Sequence, residues 1–396
     1  MILAYEACWT GVGHAATNSG LLQTVARAFP GQPIRVLADP SHLDELRRDK
    51  LLAACDIGFV AAPLSRHFRY RTAVVSPRRF AHEFAILAGA LWRVPAGENV
   101  LLLLLSATPT AIFAAAALAR LSRRRCAVQV VLHGNLNDAQ GWRPRNPLPR
   151  AFDLKSALER APVRFLVLEP GILRELARLS PRGAARTDVL PHPVVAVEVD
   201  PAAAAAPPPP PPLNVGFVGS ATAGKGIEVF LAIARDFRAR HGARVAFHLA
   251  GLIRQDSDPA AFAPLAHPVA PGHLPREQFT ARLAALHYVM LPFRPEYYTF
   301  SASGGLLDAI TWLKPVIATD MPIIADLFAE HGAFGVLCDD AAGLAAALET
   351  ALAEGIGPRY QAWVATLRRV RDSRMPAALA RRYRAIMAAT FPGLLA

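Results

Sequence analysis

The chain has few cysteines. Cys8, Cys55, Cys126 and Cys338 are its only thiols, and no two of them form a C-x-x-C pair. This excludes a disulfide scaffold and a zinc ribbon and fits a reducing cytosol. No D-x-D pair is read from the sequence, and His and Asp residues do not cluster in a way that suits a divalent ion, so no metal is expected. The opening MILAYEACWTGVG lacks a basic region ahead of its apolar stretch, which argues against a signal peptide. Long apolar runs are also missing. The greasiest tract, 100–118, is interrupted by Ser106, Thr108, Pro109 and Thr110, so it reads as a buried strand, a turn and a helix rather than a membrane span. Acidic residues are outnumbered, 31 Asp and Glu against 43 Lys and Arg, giving a formal net charge of +12. That balance favours anionic partners such as nucleotides, phosphorylated substrates, nucleic acid or an acidic membrane surface. With 53% hydrophobic and 19% charged residues, the composition rules out a mainly disordered chain.

At 396 residues the chain exceeds what one hydrophobic core usually serves. Residues 201–212, PAAAAAPPPPPP, divide it, because consecutive prolines cannot join a helix or a central strand and favour an extended spacer. Before this linker, short apolar runs at 2–6, 34–38, 57–60, 100–105, 128–132, 163–168 and 188–190 read as strands. Helical patterns at 18–29, 77–93 and 111–121 lie between them. After the linker the alternation restarts, with strands at 214–218, 245–250, 288–291, 316–319 and 335–338 and helices at 226–241, 276–286 and 304–313. In the first of these helices Phe230, Ile233, Ala234 and Phe237 keep the spacing of one buried face, and Gly242 ends it. The pattern predicts an α/β protein of two doubly wound, Rossmann-like domains facing across a cleft, with ligands at the strand C-terminal ends. The expected layout is a first domain over 1–200, the linker over 201–212, a second domain over 213–359, and C-terminal helices over 360–396 that pack back on the first domain.

Three glycine-rich stretches carry the candidate chemistry. Gly11-Val12-Gly13-His14-Ala15-Ala16 follows the first strand and matches G-x-G-x-x-A, with Asp39 ending the second strand where a ribose-binding acid sits in a dinucleotide fold. The same glycines also suit a plain substrate-lining loop. Gly219-Ser220-Ala221-Thr222-Ala223-Gly224-Lys225-Gly226 contains G-x-x-x-x-G-K, but Gly226 stands where a P-loop needs the Mg²⁺-binding Ser or Thr. What remains is a strand-to-helix turn with a lysine at a helix start, which suits a phosphate or diphosphate. Ser301-Ala302-Ser303-Gly304-Gly305-Leu306-Leu307-Asp308 opens a second helix, with Asp308 one turn inside it.

On these motifs the chain resembles the GT-B glycosyltransferases of the group 1, glycogen-synthase-like superfamily. VLPHPV (189–194) is similar to the exit from the first domain, and NVGFVGSATAGKGIEVFL to the first strand and diphosphate loop of the nucleotide-sugar domain. APGHLPREQFTARLAALHYVMLPFRPEYY resembles its base-binding region, and SGGLLDAITWLKPVIATD its signature helix and next strand. The resemblance implies a glycosyltransferase that moves a sugar from a nucleoside-diphosphate sugar to a hydroxyl of a glycan or lipid-linked glycan. It also implies retention of configuration and no cofactor or metal. Lys225 then neutralises the donor diphosphate, Asp308 holds the ribose as the second acid of E-x₇-E, and Gly219, Ser220, Ser303, Gly304 and Gly305 line the phosphate and sugar. The first acid of that signature falls on Phe300, so the donor-sugar contact is expected from Glu296, Tyr297 or Tyr298.

In the first domain His133-Gly134-Asn135 resembles the His-Gly or His-Asp at a strand end, making His133 the catalytic candidate. Gly13 and His14 lie on the acceptor side, and Asp138 is a weaker candidate. The arginines Arg66, Arg69, Arg71, Arg120, Arg123, Arg124 and Arg125 suggest peripheral contact of a cytoplasmic enzyme with the acidic inner face of a membrane, and no nucleic-acid partner is expected. Two other classes remain open: an NAD- or FAD-dependent oxidoreductase resting on Gly11–Ala16 and Asp39, and a non-catalytic GT-B-like binding protein suggested by Phe300. A nucleotide-sugar epimerase is a nearer enzymatic alternative.

Overall fold

A computed structural model describes residues 1–64, 73, 75–134, 136–141, 145–194, 210–267, 271–294 and 298–395, with 138, 140, 141, 273 and 276 described by backbone alone. The chain forms two compact units. The first comprises Met1–Val195, Thr299–Ala302 and Arg374–Ala396, and the second Ala196–Tyr298 and Ser303–Ser373.

In the first unit, β1 (Ile2–Glu6), β2 (Ile34–Ala38), β3 (Ile57–Ala61), β4 (Val100–Ser106), β5 (Cys126–Val131), β6 (Arg164–Val167) and β7 (Thr187–Val189) form one parallel sheet. Their order is β3-β2-β1-β4-β5-β6-β7. The sequence of β4, VLLLLLS, has no polar alternation because both faces of the sheet are covered, and every one of its residues is buried. Alternate side chains feed two cores. Leu3, Tyr5, Leu102, Leu104 and Phe165 enter one cluster, and Ile2, Ala4, Leu101, Leu103 and Leu166 the other. The register between β1 and β4 shifts at Tyr5/Glu6, a bulge at the C-terminal end of β1.

The C-terminal helix Pro376–Thr390 packs on the helix Ala15–Ala28. The Tyr383 ring meets Phe29 at 6.0 Å, its hydroxyl donates to Gln129 Oε1 at 2.7 Å, and Arg384 Nε donates to the Ala28 carbonyl at 2.8 Å. Just before this helix, Arg374 donates to both carboxylate oxygens of Glu169 at 2.6 and 2.7 Å, and both side chains are buried.

The second unit is built on β8 (Leu213–Val218), β9 (Val245–Ala250), β12 (Tyr288–Leu291), β13 (Val316–Thr319) and β14 (Gly335–Cys338), a parallel sheet of order β14-β13-β12-β8-β9. A short antiparallel pair, β10 (Leu252–Ile253) with β11 (Gly272–His273), stands apart from it. The helix Ile227–His241 buries Phe230, Ile233, Ala234 and Phe237, the face predicted from the sequence, and stops at Gly242 with φ 57°. The helix Pro358–Ser373 belongs to this unit, where Tyr360 donates its hydroxyl proton to the His287 carbonyl at 3.0 Å.

Of the C-terminal stretch 360–396 expected on the first domain, only the part from Arg374 lies in the first unit, because the helix Pro358–Ser373 packs in the second; the other differences noted are local. The first helix begins at Ala15 rather than residue 18, because His14 turns the chain into it with a left-handed φ of 55°. The β10–β11 pair was not anticipated, since two-residue strands carry no periodicity to detect. Most of the proline-rich linker lies outside the described residues.

Candidate active site

In an open parallel sheet, ligands bind beyond the strand C-terminal ends where the winding direction reverses. In the second unit that point lies between β8 and β12. The two glycine-rich stretches of this unit sit there: residues 219–226 follow β8, and the chain beyond β12 leads to the helix Gly304–Thr311. Backbones close tightly around the spot. A Cβ on Gly305 would lie 2.6 Å from the Val218 carbonyl oxygen, so glycine lets the helix start press against the end of β8. Gly226, with φ 72°, would place a Cβ 1.8 Å from the carbonyl oxygen of Pro292. The residue that spoils the P-loop pattern is therefore one that sterics require to be glycine.

The loop from Gly219 to Gly226 is held by backbone hydrogen bonds to β9 and β10 and within itself. Gly219 N donates to the Ala250 carbonyl at 2.8 Å, Ala221 N to Leu252 at 2.8 Å, and Gly226 N to Ala223 at 2.9 Å. Across from it, Arg294 N donates to the Gly224 carbonyl at 3.1 Å. Lys225 folds back over the turn, so that a Cβ on Gly219 would sit 3.0 Å from its Nζ. Burial lowers the Lys225 pKa, and the negative charge of Asp308 works against that shift. These two residues, 83 positions apart in sequence, thus interact at the crevice. Ser220 is half-buried in the same turn. The hydroxyl of Thr222, which the sequence reading passed over, is buried without a hydrogen-bond partner among the described residues.

Ser303 is buried and caps the helix Gly304–Thr311, its hydroxyl accepting from Leu306 N at 3.2 Å. Gly304 is exposed at the first helical position, which leaves helix N-terminal amides pointing toward the crevice end of the sheet. Tyr298 is 7% exposed and packs on Phe293 at 4.6 Å. Glu296 and Tyr297 lie outside the described residues. Phe300 is 2% exposed and belongs to the hydrophobic cluster of the first unit. An apolar core position has taken the place of the first signature acid.

The first unit has its own reversal point between β1 and β4, and a row of rings lies beside it. Trp9 stacks on His14 at 4.1 Å, His14 meets the edge of His133 at 4.3 Å, and His133 lies 5.5 Å from His192. His14 and His133 are half-buried. Burial pushes the imidazoles down, His133 to about 4, His192 to about 3 and His14 to about 2, so all three are neutral at pH 7. The loop that carries Trp9, Gly13 and His14 is anchored on Glu6. Its buried carboxylate accepts from Cys8 N at 2.8 Å, Trp9 N at 3.1 Å and Asn18 Nδ2 at 2.8 Å. Burial raises the Glu6 pKa to about 7. Asn18 Nδ2 also lies 3.0 Å from His42 Nε2, while His42 Nδ1 lies 2.9 Å from the Gly11 carbonyl. The Nδ1–H tautomer fits both contacts, donating to the carbonyl and leaving Nε2 to accept. Neither Glu6 nor Trp9 follows a motif, and only a polar residue ending an apolar strand could have flagged Glu6.

Three expectations change. Asp39 is not placed as a free ribose acid: it caps the next helix, accepting from Ser41 N at 3.1 Å and Ser41 Oγ at 2.6 Å, and also accepts from Leu64 N at 3.2 Å. That removes a main support of the dinucleotide reading. One acidic pair with D-x-D spacing, Asp256 and Asp258, escaped the sequence reading. Asp256 pairs with Arg254 at 2.9 Å, and Asp258 caps a turn through Ala260 N at 2.9 Å. Among the arginines, Arg124 donates to the Val94 carbonyl at 2.5 Å and Arg125 to those of Pro392 and Gly393 at 2.6 and 3.2 Å, so both have structural partners. Arg66, Arg69, Arg71 and Asn135, and the side chain of Asp138, lie outside the described residues.

Two parallel-sheet α/β units, each with its loops gathered at the strand C-terminal ends, define the GT-B fold. Residues 212–354 match the family model described as glycosyl transferases group 1. Solved structures extend the likeness over the whole fold. A glycosyltransferase from Rickettsia africae ESF-5 is 12% identical with a TM-score of 0.68, covering 99% of this chain and 98% of that one. WaaG, a glycosyltransferase involved in lipopolysaccharide biosynthesis, is 15% identical with a TM-score of 0.60, covering 98% and 99%. An α,α-trehalose-phosphate synthase (UDP-forming) from Burkholderia vietnamiensis is 13% identical with a TM-score of 0.60, covering 98% and 99%. No curated protein sequence matches the chain. Among the described residues no helix is long and apolar enough to cross a membrane.

Proposed function

We propose that the protein transfers a sugar from a nucleoside-diphosphate sugar to an acceptor hydroxyl, with retention of configuration and without a metal. The observation that carries this is the meeting of Lys225, Asp308 and the start of the helix Gly304–Thr311 at the β8/β12 reversal point. In the reaction the anomeric C–O bond to the diphosphate breaks, the acceptor oxygen forms the new bond to that carbon, and the nucleoside diphosphate leaves. The developing negative charge on the leaving group needs a fixed cation and oriented amides, the electrostatic term that is often largest in catalysis. Lys225 supplies the first and the helix start the second. Asp308 accepts from a ribose hydroxyl, and Gly219, Ser220, Gly304 and Gly305 shape the floor on which the phosphates lie. Ser303 and Tyr298 serve from within, by capping the helix and packing the loop. Glu296 is assigned to the donor sugar as the replacement for the first signature acid, whose place Phe300 takes.

By resemblance the acceptor is assigned to the first unit, at the Gly13–His14 turn, and His133 is assigned the catalytic role. A neutral imidazole suits that place, since it can accept the proton of the acceptor hydroxyl or hydrogen-bond the sugar. A glycan or lipid-linked glycan is the acceptor class, in keeping with the similarity to WaaG, a glycosyltransferase involved in lipopolysaccharide biosynthesis. Arg120 and Arg123, both exposed, are the described arginines of their cluster left to face an acidic membrane from the cytoplasmic side.

The test is turnover of a panel of UDP-, GDP- and ADP-sugars with glycan acceptors, in EDTA, for wild type and His133→Ala. The expected results are release of nucleoside diphosphate in EDTA and a kcat about 10²-fold lower in the variant, with nucleotide affinity within a few-fold. Activity that vanishes in EDTA and returns with Mg²⁺ would contradict the metal-free route. A variant that melts early yet turns over normally per folded molecule would make His133 structural.

A further inference from the structure

We propose that Arg294 is the second cation of the diphosphate site and decides its preference for a diphosphate over a monophosphate. This rests on the donor reading above but assigns a residue that neither glycine-rich motif contains. Lys225 and Asp308 attract each other at the crevice, so that pair brings no net positive charge to it. A nucleoside diphosphate carries at least two negative charges at neutral pH. One ammonium that feels the charge of a nearby carboxylate leaves most of that charge unmet, and a further cation from a neighbouring loop would meet it.

Arg294 is where such a cation is needed. It lies three residues beyond the end of β12, the strand beside β8 at the reversal point. Its backbone N–H donates to the Gly224 carbonyl at 3.1 Å, one residue before Lys225. On the other side of Lys225, the α-carbon of Gly226 presses on the Pro292 carbonyl, where a Cβ would lie only 1.8 Å from the oxygen. The two loops are therefore fastened on both sides of the lysine, and the position of Arg294 relative to it is fixed by backbone rather than by flexible side chains. The Arg294 side chain is exposed and makes no hydrogen bond or ion pair among the described residues. Other arginines of this unit are engaged: Arg282 donates to the Leu249 carbonyl at 2.6 Å, Arg238 to those of Ala263 and Pro264, and Arg254 to Asp256. A guanidinium presents a planar fork of donors that matches phosphate oxygens two at a time. Its reach from the β12 loop and that of Lys225 from the β8 loop would clamp the diphosphate from both edges of the crevice.

The experiment is calorimetric titration of the full chain with UDP, GDP and ADP and with the corresponding monophosphates, for wild type, Arg294→Ala, Arg294→Lys and Arg244→Ala. Arg244 precedes β9 at the opposite end of the sheet and serves as a charge-matched control. Because Arg294 holds its neighbour through backbone N–H, its side chain can be removed without loss of that bond, and an unchanged unfolding temperature checks this. The expected result is a loss of about 10- to 100-fold in diphosphate affinity for Arg294→Ala, as for a lost charge-assisted contact. Monophosphate affinity should stay within about threefold, Arg294→Lys should fall between, and Arg244→Ala should match wild type. Diphosphate affinity unchanged in Arg294→Ala, or both nucleotide classes weakened equally, overturns the assignment while leaving the donor reading intact. A wild-type protein that binds none of the nucleotides overturns the donor reading and the assignment with it.

Discussion

Gly226→Ser would complete the P-loop pattern G-x-x-x-x-G-K-S, and the structure predicts that it damages the site instead. Gly226 has φ 72°, a conformation that costs an L-residue about 1–2 kcal/mol. Its new Cβ would start 1.8 Å from the Pro292 carbonyl oxygen, which belongs to backbone and cannot rotate away. Pushing the two segments apart is an overpacking strain of about 1–3 kcal/mol. Together the terms give a loss of about 2–5 kcal/mol for the second unit. The movement would also stretch the bond from Arg294 N to the Gly224 carbonyl, so nucleotide binding should weaken with stability. Urea unfolding followed by circular dichroism reads the first effect, and calorimetric titration with nucleoside diphosphates the second. A variant as stable as wild type, or one that gains Mg²⁺-dependent ATP hydrolysis, would refute the steric account of this loop.

Other perturbations separate charge from packing. Lys225→Ala should weaken donor binding or turnover by about 10- to 1000-fold through loss of a charge-assisted contact, read as kcat/KM, and unchanged kinetics would remove its role. Lys314 is 1% exposed, donates to the Ala284 carbonyl at 2.9 Å, and has its pKa lowered by burial from 10.5 to about 8. Below pH 8 the folded state carries this buried cation at full cost. As pH rises from 8 to 10.5 the folded protein sheds the proton before the unfolded one does, so stability should rise by up to about 3 kcal/mol, a slope that Lys314→Met should abolish in urea melts. Glu6 behaves with the opposite sign: its folded pKa of about 7 lies above the ordinary 4.5, so its contribution is present below pH 4.5 and fades as pH climbs to 7. Glu6→Gln should flatten that window, and an unaltered pH profile would mean that the carboxyl is not the group titrating. Arg374→Ala should cost about 3–5 kcal/mol by stranding the buried carboxylate of Glu169, measurable as a lower unfolding midpoint of the first unit.

The strands were legible because both faces of a parallel sheet are buried, so runs such as VLLLLLS carry the signal in composition alone. The β8 loop and the helix start at Gly304 were legible because close backbone approach selects glycine, and the sequence shows where glycine recurs. The reasons behind them were not. Nothing local says that Gly226 is forced by a carbonyl 66 positions later, or that Arg294 reaches back to Gly224. Phe300 was read as a missing acid, whereas its ring has joined the first unit's core. Asp39 looked like a ribose ligand because a helix cap and a ligand acid share the same place after a strand, and only the contacts with Ser41 and Leu64 tell them apart. The ring row of Trp9, His14, His133 and His192 draws on three separate loops, and of its members only His14 and His133 had been singled out.

The central claim is that residues 219–226 and 303–308 together bind the donor. Amide hydrogen exchange of the full chain, with and without a nucleoside-diphosphate sugar that it binds, tests this most directly. The account predicts slower exchange in peptides covering those two stretches and the segment around Arg294, with the protection of all three reduced in Lys225→Ala. Protection confined to the Gly11–Ala16 loop and β2 of the first unit, with the second unit unaffected, would contradict it.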